Sequence, residues 1–420
     1  ASSCDLVAVP PEQLRHRAII DLEAVHRIAV SQSLCDALQV AMFVAAILFA
    51  AGIVARVTYA AFVTTFVLSV LVPLERNSAH DLGLPLVTCL GWLTVPWNAG
   101  RITAERTPSH TPSHSYGFAL WWPGLTLGLG LLAAAYWKLH QSGLAWITGG
   151  AVKYHFVSDF GNAHVDWGLW IAVHPWAAVF FSLGAIVMEA VFILNIFARG
   201  PWTRLAAGAF GVSLSVALSL LQGIYWPAWL ALFSAFLPWS LLNTRTHHDT
   251  AVSLARPTLR MAQGLAVLTL IGVQVYASAT GTEAEPLMSH FPMYAYTYPS
   301  IDEFEASMRP HMTRVLAARA DGKDISGSLA GLVDDDRVRL INLAQGSGAL
   351  GDSLSEAELR NRALLCERYQ RQSGALPQEI ALTIERKRFD WSSGRFRDYQ
   401  PVPTTPVHLA ALCQQIVAAQ

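Results

Sequence analysis

Three ionisable residues lie within or beside long apolar stretches of this sequence. Glu189 lies inside LGAIVMEAVFILNIF, Lys138 follows AAAYW, and His80 precedes the apolar run DLGLPL. Ionisable groups inside a membrane region are costly, so they are candidates for function. A lysine in an apolar pocket loses its proton more readily than one in water and can act as a general base. The three residues therefore indicate acid–base chemistry in an apolar environment.

Each residue also has a purely structural interpretation. Glu189 could be a carboxyl that hydrogen-bonds a neighbouring helix, Lys138 could extend to the lipid headgroups, and a lone histidine such as His80 is commonly a hydrogen-bond partner. An uncompensated charge at the bilayer centre costs at least about 2.5 kcal/mol. We therefore expect the Glu189 carboxyl to face other helices, and the lysine to point into the helical core. The candidate partners of the carboxyl are Lys138, His174, Gln222, Tyr225 or a polar group from the first three helices.

The elements that must position these residues are membrane helices. The chain has 420 residues, 53% of them hydrophobic and 14% charged, whereas soluble domains carry roughly 25% charged residues. Asp, Glu, Lys and Arg number 8 in residues 1–36, 18 in 37–280 and 33 in 281–420. A spanning helix needs about 20 mostly apolar residues. Eight such segments are predicted near 37–55, 57–74, 82–97, 119–138, 170–197, 203–220, 225–242 and 261–279.

The sequence thus predicts an all-α polytopic membrane protein with about eight transmembrane helices and a small mixed α/β C-terminal region. We expect an amphipathic surface helix over 1–36, the transmembrane domain over 37–280 and a charged extramembrane region over 281–420. In that last region, capping-box patterns predict helices from Ser300 to about 320 and from Ser355 to about 372. A hairpin around Ser393-Gly394 and a final helix over 406–418 follow.

Tryptophans and cysteines add constraints that leave the orientation open. Ten tryptophans are expected at the headgroup level, namely Trp92, Trp97, Trp121, Trp122, Trp137, Trp167, Trp170, Trp226, Trp229 and Trp239. Basic residues divide 8 to 6 between the two membrane sides, which does not settle the topology. The five cysteines lack CxxC spacing. A Cys366–Cys413 bridge would form if the tail faces an oxidising space.

The charge and the motifs exclude several classes of protein. The formal net charge is −1, so no basic field favours nucleic acid. The sequence has no phosphate-binding GxxxxGK, no dinucleotide fingerprint and no GxSxG elbow in a usable context. The scattered histidines show no spacing that specifies three or four converging ligands. No metal site is therefore predicted.

Several segments together resemble a known family. YWKLHQSGLAWITGGAVKYHF, HPWAAVFFSLGAIVMEAVFILNIF and GVSLSVALSLLQGIYWPAWLALFSAFLPW resemble the HTTM membrane domain, a bacterial domain related to vitamin K-dependent gamma-carboxylase. NSAHDLGLPLVTCLGWLTVPW and HSYGFALWW match its earlier helices in order. The resemblance covers about 37–280 and is most specific around Lys138. The carboxylases, however, carry a large strand-rich C-terminal domain, whereas this chain has about 140 mostly helical residues there by our interpretation.

The resemblance implies roles for particular residues. Lys138 and Leu139, with Trp146 and Gly149, match a stretch whose lysine deprotonates vitamin K hydroquinone. Asn77 and His80 match a stretch whose histidine assists, and Glu189 matches a recurrent acidic position. The implied catalytic residues are Lys138, His80 and Glu189, and those implied to contact the cofactor are Trp146, Tyr136 and His140. The implied cofactor is a vitamin K-type hydroquinone with O₂ and CO₂.

Two functions from different classes remain open at the level of the sequence. The first is a membrane enzyme that acts on a quinol or another lipid-soluble substrate, with a lysine as general base. The second is a non-catalytic accessory or structural subunit, whose N-terminal helix and charged tail dock a larger membrane complex. Either would reside in the lipid bilayer, by the resemblance in a bacterial inner membrane. A quinone-like ligand between the helices beside Lys138 would favour the enzyme, whereas a co-purifying complex with an empty or filled-in pocket would favour the subunit.

Overall fold

The chain divides into two compact units. The computed structural model describes residues 31–74, 80–95, 114–198, 200–237, 257–281, 295–308, 312–326, 340–345, 365–366, 370 and 375–419. The first unit, here called the helical unit, comprises residues 1–152, 162–165 and 176–297. The second, the C-terminal unit, comprises residues 153–161, 166–175 and 298–420. Two short segments within the predicted transmembrane domain thus belong to the C-terminal unit. The predicted surface helix lies almost wholly outside the described residues.

Helices make up most of the described chain. In chain order they are Gln32–Ala50 (α1), Ala55–Leu74 (α2), His80–Trp92 (α3), His114–Ser142 (α4), Ala145–Thr148 (α5), Val152–Ser158 (α6), Trp167–Val173 (α7), Pro175–Val191 (α8), Pro201–Gln222 (α9), Pro227–Phe233 (α10), Pro257–Thr280 (α11), Ile301–Met308 (α12) and Leu409–Ala419 (α13). The 3₁₀ segments Phe192–Phe197 and Ser234–Phe236 extend α8 and α10.

Five of the described helices are long and apolar enough to cross a membrane. They cover Ser33–Ala50, Gly117–Ser142, Pro175–Phe197, Pro201–Gln222 and Arg260–Thr280. Three further apolar helical stretches among the described residues are Ala55–Val70, Leu82–Trp92 and Pro227–Phe236. The helical unit therefore supports an integral membrane protein, in which five of the eight predicted segments meet both the length and the hydropathy of a span within the described residues.

Small residues allow these helices to approach closely. A Cβ at Gly91 of α3 would overlap the Trp122 indole of α4, and the hydroxyls of Thr88 and Thr126 lie 2.9 Å apart between the same helices. Between α9 and α10, a Cβ at Gly211 would overlap the Phe233 ring. Close packing around small residues and hydrogen bonds between helices are the interactions that hold apolar helices together in lipid.

A sheet organises the C-terminal unit, as the predicted mixed α/β region implies, although the sequence predicted a helix where β1 lies. Its strands are Thr313–Ala320 (β1), Lys323–Asp324 (β2), Ile380–Arg386 (β3), Phe389–Asp390 (β4), Arg395–Phe396 (β5) and Gln400–Val402 (β6). The four-stranded order is β2-β1-β3-β6, all antiparallel, and β4 pairs with β5. The register of β1 and β3 places Ala318 opposite Leu382, and both side chains are buried in the unit's core.

The structure confirms some of the local predictions for the C-terminal unit and contradicts one. Ser300 does cap α12, since its Oγ accepts from the Glu303 amide at 3.2 Å. The predicted extension of that helix to about 320 is wrong, because the chain enters β1 at Thr313. The hairpin around Ser393-Gly394 is confirmed as β4–β5, and the final helix as α13. Most of the predicted helix from Ser355 lies outside the described residues.

The predicted interfacial role of the tryptophans is wrong for three of them. Trp122, Trp137 and Trp229 are buried, with 2%, 6% and 4% of their surface exposed. Trp167 and Trp170 are exposed at 72% and 48%. An amphipathic ring is favourable both at the headgroups and in a core where its N–H finds a partner, so residue type alone does not separate the two locations.

Gly223, which ends α9, provides a test of the close packing in the helical unit. It has φ of 68°, and a Cβ there would overlap Asn162. Replacement by Ala therefore adds about 1–3 kcal/mol of overpacking to the cost of a left-handed conformation, about 1–2 kcal/mol. We expect Gly223→Ala to lower the melting temperature of the purified protein clearly more than Gly52→Ala. Gly52 has φ of 73° with nothing within 4 Å of the added Cβ, so equal effects would contradict the packing.

Asp390 provides a pH-dependent test of the β4–β5 hairpin. The Ser392 hydroxyl donates to Asp390 Oδ1 at 2.6 Å and Arg397 donates to Oδ2 at 2.9 Å. These contacts hold the pKa of the exposed carboxyl well below its usual value. The stability that this carboxyl contributes is complete above its ordinary pKa of about 3.9 and is lost as pH falls toward the folded-state value. The melting-temperature difference between wild type and Asp390→Asn should therefore shrink from pH 5 to pH 2.5.

Two serine variants separate the cause of this pH dependence. Ser392→Ala removes the hydroxyl that donates to Asp390, so it should reduce the acid-dependent loss of stability. Ser393→Ala, at the next position of the exposed turn, should retain it. A stability difference between wild type and Asp390→Asn that stays constant with pH would exclude the hydrogen bonds as the cause.

Candidate functional site

A buried ion pair joins the two apolar helices that carry the main sequence candidates. Lys138 Nζ lies 2.6 Å from Glu189 Oε1 and 2.7 Å from Oε2. The two residues are 4% and 9% exposed. Both sequence predictions are confirmed, because the lysine points into the core and the carboxyl faces another helix and is paired. Of the candidate partners for Glu189, the structure selects Lys138.

The packing of α4 against the end of α8 sets the register of this pair. The Asn195 side-chain amide donates to the Gly124 carbonyl at 2.9 Å, and a Cβ at Gly128 would lie 2.9 Å from the Cα of Ile193. These contacts bring the two backbones close together and fix the axial position of one helix relative to the other. Lys138 and Glu189, 51 residues apart in sequence, therefore meet at the continuation of the same interface.

Trp146 forms the second contact of the lysine. Its ring centroid lies 5.5 Å from Lys138 Nζ, and the side chain is 1% exposed. The ring belongs to the single turn α5, between Gly143 and Gly150, whose φ values of 57° and 63° reverse the chain on either side. An indole face attracts a cation. The face of Trp146 therefore gives the Lys138 side chain a cation–π contact.

A small apolar cavity of about 40 Å³ opens beside the pair. Apart from Lys138 and Glu189, its lining is almost entirely apolar and comes from α4, α9 and α10. The lining residues are Gly130, Leu131, Ala134, Gly211, Leu214, Ser215, Leu218, Trp226, Trp229 and Phe233. The volume is well below the range of about 300–1,000 Å³ that is common for ligand pockets. The site thus combines an ionisable pair with a small apolar space that a ring-sized ligand would have to widen.

The sequence interpretation did not identify the cavity wall. Gly211, Ser215 and Leu218 lie on one face of α9, at the spacing of one helical turn, and Trp226 and Trp229 follow it with ring centroids 4.7 Å apart. A stripe of small residues followed by aromatics was the available signal. Such a stripe is also typical of ordinary helix packing, so it did not stand out.

The other predicted site residues lie elsewhere or outside the described part. Tyr136 is 45% exposed and stacks on His140 with ring centroids 5.4 Å apart. Neither side chain belongs to the described lining of the cavity, so the structure does not bring them together with Lys138 and Glu189 there. Adjacent helical positions face different directions, so residues beside Lys138 in sequence turn away from it. α3 begins at His80, but the side chain of this residue lies outside the described ones.

Two further observations bear on the chemistry of the helical unit. Gln222, one turn beyond Leu218 on α9, is 4% exposed, and its Oε1 has no hydrogen-bond partner among the described residues. Buried polar atoms are normally satisfied, so an unpaired one is available to a ligand. Within the described chain, no group of three or more His, Cys, Asp or Glu side chains is placed to hold a metal ion.

Comparison with protein-family models, with curated proteins and with solved structures gave no match to this chain. The candidate site is therefore defined by its own geometry. That geometry consists of a lysine–carboxylate pair out of contact with water, an indole on the lysine and an apolar cavity beside both.

Mutation of the pair tests whether the two side chains carry charge in the folded protein. Removal of one partner leaves the other as an uncompensated buried charge, which costs about 3–5 kcal/mol, whereas replacement of both by apolar residues is often neutral. We expect Lys138→Met and Glu189→Met each to lower the melting temperature strongly. The double variant should recover most of the loss. Additive single effects would contradict a coupled ion pair.

Proposed function

We propose that the helical unit is a membrane enzyme that binds a lipid-soluble acid of the hydroquinone type in the cavity, with Lys138 as the base that accepts its proton. One observation carries the proposal. The described cavity lining has an ionisable lysine–carboxylate pair at an otherwise apolar surface. A lipid-soluble acid requires both parts, an apolar space for its ring and a proton acceptor at its hydroxyl.

The pair supplies a proton acceptor without an unbalanced charge. As an ion pair it has no net charge, and transfer of a proton from Lys138 Nζ to the carboxylate across 2.6 Å leaves a neutral amine, also without net charge. The neutral amine can then take the hydroxyl proton of a bound hydroquinone. The product is a cationic pair beside an anionic quinolate. The two charges remain adjacent, which limits their cost in an apolar environment.

The cavity wall supports an aromatic substrate. Trp226 and Trp229 present two indole rings, and aromatic rings favour stacked or edge-on contacts with a second ring. Trp146 contacts the base itself, with its ring centroid 5.5 Å from Lys138 Nζ. Proton release from the lysine to Glu189 is then the step that prepares the base, and the short contact between the two residues supports it.

The finer features of the proposal come from the resemblance described above. We assign the chain to the HTTM domain proteins related to vitamin K-dependent gamma-carboxylase, with the three shorter apolar helices completing an eight-helix domain in a bacterial inner membrane. The implied co-reactants of the hydroquinone are O₂ and CO₂. The chain's own residues are required to bind the quinol and to take its proton.

The alternative function is an accessory subunit that retains the helical scaffold without the reaction. A scaffold has no need of an open space beside a buried ion pair, and close packing would fill it. The unfilled space of about 40 Å³ beside the pair is the feature that favours the enzyme. Docking to other subunits of a membrane complex stays compatible with either function.

A quinol assay on the full chain in lipid nanodiscs tests the proposal. The probe is a reduced naphthohydroquinone, with oxygen consumption as the readout of reaction and quenching of tryptophan fluorescence as the readout of binding. Loss of a general base typically costs about 10²–10⁴-fold in rate. Lys138→Met should therefore lose activity on this scale, whereas Lys153→Met, which removes a lysine outside the cavity, should not. A wild-type protein that neither binds nor oxidises the probe would rule out this function.

A further inference from the structure

A disulfide bond lies in the core of the C-terminal unit. Cys366 and Cys413 are joined across 47 residues of sequence, with their Cα atoms 5.9 Å apart. Both residues are buried and pack in one cluster with Leu365, Leu412 and the β1–β3 strands. Structural disulfides form and persist in oxidising compartments, whereas cytosolic thiols are kept reduced. The core of this unit therefore contains a disulfide bond that the reducing cytosol would not maintain.

The residues at which the chain passes from the helical unit to the C-terminal unit lie at one end of the helical bundle. The Thr297 amide, at the last residue of the helical unit, donates to Ser142 Oγ at the C-terminus of α4. The His164 amide donates to the Leu220 carbonyl at 2.9 Å, in the last turn of α9. The Val152 amide donates to Ser182 Oγ, in the first half of α8. These residues mark the end of the bundle where α4 and α9 finish and α8 begins, here called the exit end.

The arginines of the helical unit lie at the opposite end. The described part of this unit has four basic residues, Arg56, Lys138, Arg204 and Arg260. Lys138 is held in the buried pair. Arg204 lies in the first turn of α9, at the far end from Leu220, and Arg56 and Arg260 lie in the first turns of α2 and α11.

Contacts place the starts of α2 and α11 at that same opposite end. The Tyr59 hydroxyl of α2 donates to the Cys89 carbonyl near the end of α3 at 2.7 Å. The Gln263 amide of α11 donates to the carbonyl of Thr94, just beyond α3. The end of α3 in turn adjoins the beginning of α4, since Trp92 Nε1 donates to the Ala119 carbonyl. All three arginines are thus at the end where α4 begins.

We propose that the C-terminal unit lies in an oxidising, extracytoplasmic compartment, and that the end of the helical unit that carries the three arginines faces the cytoplasm. Two independent observations agree on this topology. The disulfide requires an oxidising environment for the C-terminal unit. The arginines follow the excess of basic residues on the cytoplasmic side of membrane proteins. The inference does not depend on the reaction proposed for Lys138.

Cysteine labelling of the full chain in bacterial cells tests this topology. Ser393→Cys places a thiol in the exposed turn of the C-terminal unit, and Trp202→Cys places one in the first turn of α9, where the tryptophan is 70% exposed. A membrane-impermeant maleimide should label the first variant in intact spheroplasts and the second only after permeabilisation. The unmodified chain measures the background from its own cysteines. The reverse pattern would overturn the topology.

The redox state of the native cysteines gives a second readout. Cells are quenched with acid and alkylated, and the full chain is compared with Cys413→Ser on a non-reducing gel. The wild-type chain should show the faster mobility of a closed loop, which reduction abolishes and the variant lacks. Free Cys366 and Cys413 thiols in cells would contradict the proposal. Lys138→Met should leave labelling and mobility unchanged, so failure of the quinol reaction and failure of the topology give different results.

Discussion

The helical unit depends on the contact between Lys138 and Glu189. A charge that has left water is tolerated only beside an opposite charge with good geometry, and here one ammonium nitrogen contacts both carboxylate oxygens within 2.7 Å. This requirement constrains the packing around the pair. α4 and α8 must pack in the one register that brings the two side chains together. The cavity beside them must not be lined by a further, unpaired charge. The proposed reaction uses the same property, because a proton can move between the two residues without a change in net charge.

Small residues make this arrangement possible. Gly124 and Gly128 bring α4 against the segment that extends α8, while Gly211 admits the Phe233 ring against α9. Helices in lipid gain little from the hydrophobic effect and rely on close packing and interhelical hydrogen bonds. The cavity lies where the helices are no longer in close contact. Its wall combines the glycine-lined faces of α4 and α9 with the indoles of Trp226 and Trp229.

The C-terminal unit is stabilised by different interactions. Its core combines the alternating side chains of an antiparallel sheet with a disulfide between Cys366 and Cys413. A small core gains from such a cross-link because the bond restricts the unfolded chain. The proposed extracytoplasmic location of this unit rests on that disulfide and on the three arginines of the helical unit.

The sequence by itself determined the class of the protein and the importance of two residues, because hydrophobicity over about 20 residues and the cost of an isolated charge are local properties. It also located the Ser393-Gly394 turn and the Ser300 cap, which depend on neighbouring residues. Only the tertiary structure decided that Lys138 and Glu189 are partners, that Trp122 and Trp137 are buried and that β1 is a strand. Each of these depends on contacts between residues far apart in sequence, and many arrangements of apolar helices satisfy the same local pattern.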